Sequence, residues 1–183
     1  MSDERKEVEE QTSEILQALD LPVTIHAQYI RDLSFENPQA PASLRAGQTM
    51  PEMNVNIGMD ARLIEDDKMK NLYEVALTIS ATAERDGKSV FIGEIIYGVT
   101  VSIGDVVPED QHHPLLLIEI PKYSFPFARQ ILATLTSQGG YPPLLLNPVD
   151  FQALYMERFK AEMKEAHKAE EEAEAAAAAG QTN

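Results

Sequence analysis

The sequence predicts an α+β fold, a four-stranded antiparallel sheet with two long C-terminal helices packed on one face. Three observations lead there. Four stretches between Val23 and Ile103 alternate apolar and polar residues, and a period of two is the mark of a half-buried strand. Two stretches between Ile120 and Phe159 carry apolar residues three and four apart, which gathers them on one side of a helix. The strands all precede the helices, and that segregation favours α+β over alternating α/β.

The first 21 residues are rich in acids, from Asp3 to Asp20, and are expected to form a frayed arm. In the first strand Ile25, Ala27, Tyr29, Leu33 and Phe35 should share the buried face, with Arg31 as the exception. Thr24, His26, Gln28, Asp32, Ser34 and Glu36 should share the polar one. Met53, Val55, Ile57, Met59, Ala61 and Leu63 repeat the pattern, and so do Tyr73, Val75, Leu77, Ile79, Ala81 and Ala83. Asp86-Gly87 is a strong hairpin turn into the fourth run, Phe91, Ile95, Tyr97, Val99, Val101 and Ile103. That run departs from clean alternation, because Val90, Ile92 and Ile96 sit on its polar face around Glu94. Apolar side chains on a solvated sheet face call for a partner, either another subunit or a docked protein.

Two loops interrupt the strands. Asn37 to Pro51 contains Pro38, Pro41, Gly47 and Pro51 without a period. It is too long for a tight hairpin, so strands one and two should not be neighbours, and loops of this kind are often functional. Gly104 to Pro114 reads as a second loop holding Asp105, Glu109, Asp110 and His112-His113.

The first helix is expected to begin around Pro126, since proline suits the first helical turn. Phe127, Ile131, Leu132 and Leu135 form its stripe, and Gly139-Gly140 should close it with a left-handed residue. The second opens on Asn147-Pro148-Val149-Asp150, read as cap, proline at the first position and an acid in the first turn. Phe151, Leu154, Tyr155, Phe159 and Met163 continue it. The expected organisation is an arm over 1–21, one domain over 22–165 and an acidic Ala/Glu-rich tail over 166–183.

Composition narrows the function. A formal net charge of −15 over 183 residues disfavours nucleic acid and anionic membranes, which recruit clustered Lys and Arg. It favours solubility and basic partners. The sequence has no cysteine, hence no thiolate chemistry or sulfur-based zinc site. No run reaches the roughly 18 apolar residues of a membrane span, and the charged start has no signal-peptide core; a soluble, cytoplasmic protein is expected. The motifs of phosphate loops, dinucleotide sites, zinc proteases and serine hydrolases are all missing. No enzyme activity, metal or cofactor is expected. Glu65-Asp66-Asp67 reads as a solvated turn, because the spaced ligands of a calcium loop are absent.

Two surfaces remain as candidates. One is the polar sheet face, where Asp32 and Glu36 share a side and Glu94 can join them beside Ile92. The other is an apolar groove between the long loop and the second helix, with Leu44, Met50 and Met53 on one side and Phe151, Tyr155 and Met156 on the other. Methionine suits such a groove, because its flexible thioether adapts to varied partners.

The segments YIRDLSFENPQAP (Tyr29 to Pro41) and FPFARQIL with GGYPPLLLNPVDFQALYMERF (Phe125 to Phe159) resemble the SecB family of protein-export chaperones, across roughly residues 22–165. The resemblance implies a homotetramer built as a dimer of dimers. It implies ATP-independent binding of unfolded secretory precursors in the cytosol and their delivery to the SecA motor ATPase. By position it makes Asp32, Glu36, Ile92 and Glu94 the SecA-docking residues and gives the Asn37–Pro51 loop a place in the client groove. The competing reading is a small-molecule-binding α+β protein with a closed pocket between sheet and helices.

Overall fold

The computed structural model describes residues 22–159. Four strands, β1 (Val23–Glu36), β2 (Glu52–Leu63), β3 (Leu72–Arg85) and β4 (Lys88–Ile103), form one antiparallel sheet in the order β1-β4-β3-β2. The strands named first and second in the chain are therefore the two edges, and residues 37–51 cross from one edge to the other. The β3–β4 hairpin turns at Asp86-Gly87, where φ is +52° and +70°. Two consecutive left-handed residues make the tight turn whose twist matches the flanking strands.

One face of the sheet carries the helices. Helix α1 (Glu109–Pro114) passes through a π turn (Leu115–Glu119) into α2 (Ile120–Gln138), and α3 is described over 151–159. Val75, Leu77, Ile79, Ile95, Val99 and Val101 point up from β3 and β4 into Ile120, Phe125, Ala128, Leu132 and Phe151. The fold class is the expected one, with the other sheet face left open.

Several boundaries differ from the expectation, each for a physical reason. Helix starts at Glu109, and Pro126 lies inside α2 rather than at its beginning. Leu116, Leu117, Ile120 and Phe125 are all buried, and at about 1.5–3 kcal/mol per buried apolar side chain they outweigh the ~3 kcal/mol cost of an interior proline. The second expected loop is therefore loop only up to Pro108. His112 is buried in α1, between the Tyr73 hydroxyl and the Val107 carbonyl, each 3.1 Å away. Helix α3 is capped by Asp150 rather than Asn147: Asp150 Oδ1 accepts the Ala153 N–H at 2.9 Å, the usual N-cap bond.

The close of α2 follows the sequence reading. Gly140 has φ +89°. The N–H groups of Gly140 and Tyr141 return to the carbonyls of Ser137 and Thr136, the paired bonds of a Schellman ending. Gly139 is small for a different reason, since a Cβ there would stand 2.4 Å from the Phe35 ring.

Strand β1 breaks its predicted alternation at two bulges, between Ile25 and Ala27 and between Ile30 and Asp32. A bulge inserts one residue and reverses which face the following residues present. Ala27 and Tyr29 therefore lie on the open face, opposite Thr100 and Gly98, while Ile30 lies on the helix side opposite Tyr97. The second bulge restores the original parity for Asp32, Leu33, Ser34, Phe35 and Glu36. Another irregularity between Ala83 and Glu84 in the β3–β4 pairing turns Val90 into a small cluster with Ala83, Phe91, Phe35 and Tyr141. Val90 is thus core, and of the three apolar residues expected around Glu94, Ile92 and Ile96 stay on the open face.

The arm over 1–21, Met163 and the tail over 166–183 lie outside the described residues.

Candidate functional site

The open sheet face has two halves. Across one half, Glu36, Ile92, Thr82 and Asn54 form a row, followed by Ser34, Glu94, Ser80 and Asn56, then Asp32, Ile96, Thr78 and Gly58. The pairing thus brings Asp32, Glu36, Ile92 and Glu94 onto one surface. Asp32 and Glu36 are exposed, while Glu94, Ile92 and Ile96 are half-buried. Among the described residues no cation stands within ion-pair distance of the three acids.

The other half is organised by Glu74 of β3. Its side chain is only 4% exposed. One carboxylate oxygen accepts a hydrogen bond from the Tyr29 hydroxyl. The other accepts from Arg62 Nε and faces Arg31 at 3.5 Å. Burial pushes the Glu74 pKa up, but the hydrogen bonds from Tyr29 and Arg62 and the two guanidinium charges outweigh it, so the carboxyl sits below the ordinary value. The same burial, reinforced by the bond to Glu74, raises Tyr29. Tyr29 reaches Glu74 by lying flat over Gly98, where a Cβ would stand 2.6 Å from the ring. The cluster spans all four strands. The signal for it in the sequence was Arg31, the one charged residue among the apolar positions of β1.

On the helix side, α2 lies over β3 and β4 and leaves part of each flank uncovered, around Ile30 and Leu33 on β1 and around Met53 and Val55 on β2. Along β1, Ile30 and Leu33 are exposed together with Tyr123 and Phe127 of α2. They form a continuous strip, because Tyr97, paired with Ile30, stacks on Phe127 at 6.4 Å. Along β2, Met53 and Val55 are exposed, and Leu44 and Met50 of the crossover loop stand near them, Met50 at 91% exposure.

Leu44, Met50 and Met53 line an open cavity of about 360 Å³ with Phe91, Tyr141, Pro142, Pro143 and Leu144. Its far wall is the segment after α2, not α3 as expected. The crossover loop is tied to that segment. The Tyr141 hydroxyl lies 2.6 Å from Asn37 Oδ1 and 2.8 Å from Ser43 Oγ, and Arg85 Nε donates to the Thr49 carbonyl at 2.7 Å. Gly-Gly followed by Tyr-Pro-Pro was the available signal, read only as a helix stop.

The residues expected from the second helix part company with this cavity. Phe151 is 1% exposed and packs edge-on against Phe125 at 5.7 Å, so it belongs to the core: its position next to the Asp150 cap turns it toward α2. Tyr155 is half-buried and bonds His113 Nδ1 at 3.0 Å. Met156 is exposed but lines no part of the cavity.

Among the described residues no group of three His, Cys, Asp or Glu is placed to hold a metal ion, and no helix is long and apolar enough to cross a membrane. Asp66 takes the N–H groups of Lys68 and Met69, so its cluster is a turn. What the surface offers is an acidic sheet face and two uncovered apolar flanks, the equipment of an α+β subunit that binds other polypeptides.

The comparisons give that class its family. Residues 17–162 match the family model described as preprotein translocase subunit SecB, and the chain belongs to the SecB family of protein-export chaperones. It is 42% identical over 149 residues to the protein-export protein SecB of Caulobacter vibrioides, covering 81% of this chain and 88% of that one. It is 47% identical over 129 residues to that of Maricaulis maris, covering 70% and 72%. Among solved structures it is similar to a SecB-like chaperone of Mycobacterium tuberculosis in complex with a peptide from an antitoxin. There the TM-score is 0.55 at 12% identity, with 74% of this chain and 91% of that one covered. A likeness at that identity shows the fold.

Proposed function

We propose that the protein is an ATP-independent chaperone of the cytoplasm that binds unfolded precursor proteins, keeps them translocation-competent and passes them to the SecA motor. The observation that supports it best is the pair of uncovered apolar flanks on the helix side of a strongly acidic chain. The β2 flank, with the 360 Å³ cavity at Leu44, Met50 and Met53, suits short apolar segments of a client. The antitoxin peptide held by the M. tuberculosis protein is in keeping with polypeptide binding on this fold.

The β1 flank suits self-assembly. β1 is an unpaired edge beside the apolar strip of Ile30, Leu33, Tyr123 and Phe127, and an exposed edge of that kind invites pairing with a second strand. A homotetramer, a dimer of dimers, would bury those strips and repeat the client cavity on each subunit. Several weak contacts along one client then add up through avidity. Asp32, Glu36 and Glu94, with Ile92 between them, form the surface assigned to SecA, since an acidic face steers a basic partner. Tyr155 and Met156 stay as outlying client contacts on α3.

The test is to dilute a denatured precursor with and without the protein and follow aggregation by light scattering. Suppression at one tetramer per client is expected. Unchanged aggregation, or a monomer by sizing, refutes the reading.

A further inference from the structure

The open face holds two arginines, Arg31 and Arg62, and both are paired with Glu74 rather than with Asp32, Glu36 or Glu94. Arg31 precedes Asp32 in the chain, and the bulge between Ile30 and Asp32 turns both toward the open side. Arg62 stands on β2, next to Asp60 and directly across from Glu74. Both guanidiniums are exposed yet turned to one buried carboxylate. Glu74 is fixed in turn by the Tyr29 hydroxyl, whose ring lies over Gly98, and it is itself buried.

We propose that Glu74 is a positioning residue for the acidic face: its carboxylate sequesters Arg31 and Arg62, which leaves Asp32, Glu36 and Glu94 unneutralised for a basic partner. This rests on the assignment of that face to SecA docking. A core with a buried acid gains little stability from it, because desolvation offsets most of the attraction. What Glu74 supplies is direction. It draws Arg31 and Arg62 together over β3, so that with Asp60 this half of the face is balanced in charge while Asp32, Glu36 and Glu94 leave the other half negative. With Glu74 neutral, Arg31 is released beside Asp32, where an exposed ion pair forms at small entropic cost and competes with the incoming partner.

The experiment titrates purified SecA against the intact full-length protein by calorimetry. Four variants are compared, D32K, E74Q, R31A and E74Q/R31A, with client aggregation and thermal unfolding measured alongside. E74Q is expected to weaken SecA binding about two- to fivefold, the worth of one exposed ion pair, with client protection unchanged. Removing Arg31 as well should restore binding to within about twofold, because the competing cation has gone. R31A alone should change binding by less than about twofold, since that guanidinium is already held.

A double variant as weak as E74Q, or weaker, overturns the proposal, for Glu74 would then act through the fold alone. Tighter binding by R31A alone, by about fivefold or more, also overturns it and does not depend on E74Q folding. If D32K itself binds SecA normally, the assignment of the face is wrong, a failure distinct from that of Glu74.

Discussion

Tyr141→Phe removes one oxygen and tests what holds the crossover loop over its cavity. In the wild type that hydroxyl lies 2.6 Å from Asn37 Oδ1, 2.8 Å from Ser43 Oγ and 3.2 Å from the Val90 carbonyl. It has one proton to give and accepts one bond, so two hydrogen bonds are lost, each worth about 0.5–1.5 kcal/mol net. Ser43 keeps Asn37 Oδ1 as an alternative acceptor at 3.3 Å, and the ring keeps its packing on Phe91 at 4.9 Å. The cost therefore falls near the low end, about 1 kcal/mol, which is roughly a fivefold rise in the opening constant of the loop. Amide hydrogen exchange reads it locally. The N–H groups of Ser43, Leu44 and Arg45 bond to the carbonyls of Gln39, Pro41 and Ala42 and should exchange about fivefold faster, while Leu77 and Ile95 in the sheet centre keep their rates. Unchanged exchange at Ser43 to Arg45 refutes the reasoning. Equal acceleration in β3 and β4 refutes it differently, by showing that Tyr141 holds the whole fold.

Three further outcomes are expected. Glu74 has a depressed folded pKa, so its stabilisation is complete above the unfolded value of about 4.3 and is lost as pH falls through the lower folded value. Chemical unfolding at about pH 7 and about pH 3 should show E74Q less stable than the wild type at the higher pH and losing less of its stability between the two. Phe151→Ala empties a fully buried ring site against Phe125 and should cost about 3–5 kcal/mol, read as a lower urea midpoint; a loss under about 1 kcal/mol would place Phe151 at a surface after all. Asp32→Lys and Glu94→Lys should each weaken SecA docking while client protection persists, and equal loss of both activities would make these acids structural.

The alternation of β2, β3 and β4 was readable because each strand meets one apolar layer and one wet side, so period two survives in the residue order. The same rule misassigned Tyr29 and Val90, since a bulge is one extra residue and looks like nothing in a string of letters until its neighbours are paired. Proline was over-read. Pro126 was taken as a helix start because its missing N–H costs least there, yet burial of Leu116, Leu117 and Ile120 carries the helix through it. The cap moved from Asn147 to Asp150 for a related reason: both residue types cap well, and the anchoring of Phe151 in the core chooses between them. Of the candidate site, Asp32, Glu36, Ile92 and Glu94 are indeed co-facial, because the second bulge undoes the first. Leu44, Met50 and Met53 do share a cavity, though with Tyr141 and Leu144 rather than α3.

By itself, then, the residue order determined the sheet with its hairpin at Asp86-Gly87, the helical cover, the crossover loop, the acidic character and the family. These rest on local periodicity, turn chemistry and summed charge, all carried by neighbours in sequence. Only the tertiary structure decided that Glu74 is buried, that Arg31 and Arg62 converge on it, and that the crossover loop is fastened by Tyr141. Those contacts join residues from 12 to 104 positions apart, and a carboxylate looks the same in the sequence whether it meets water or two guanidiniums.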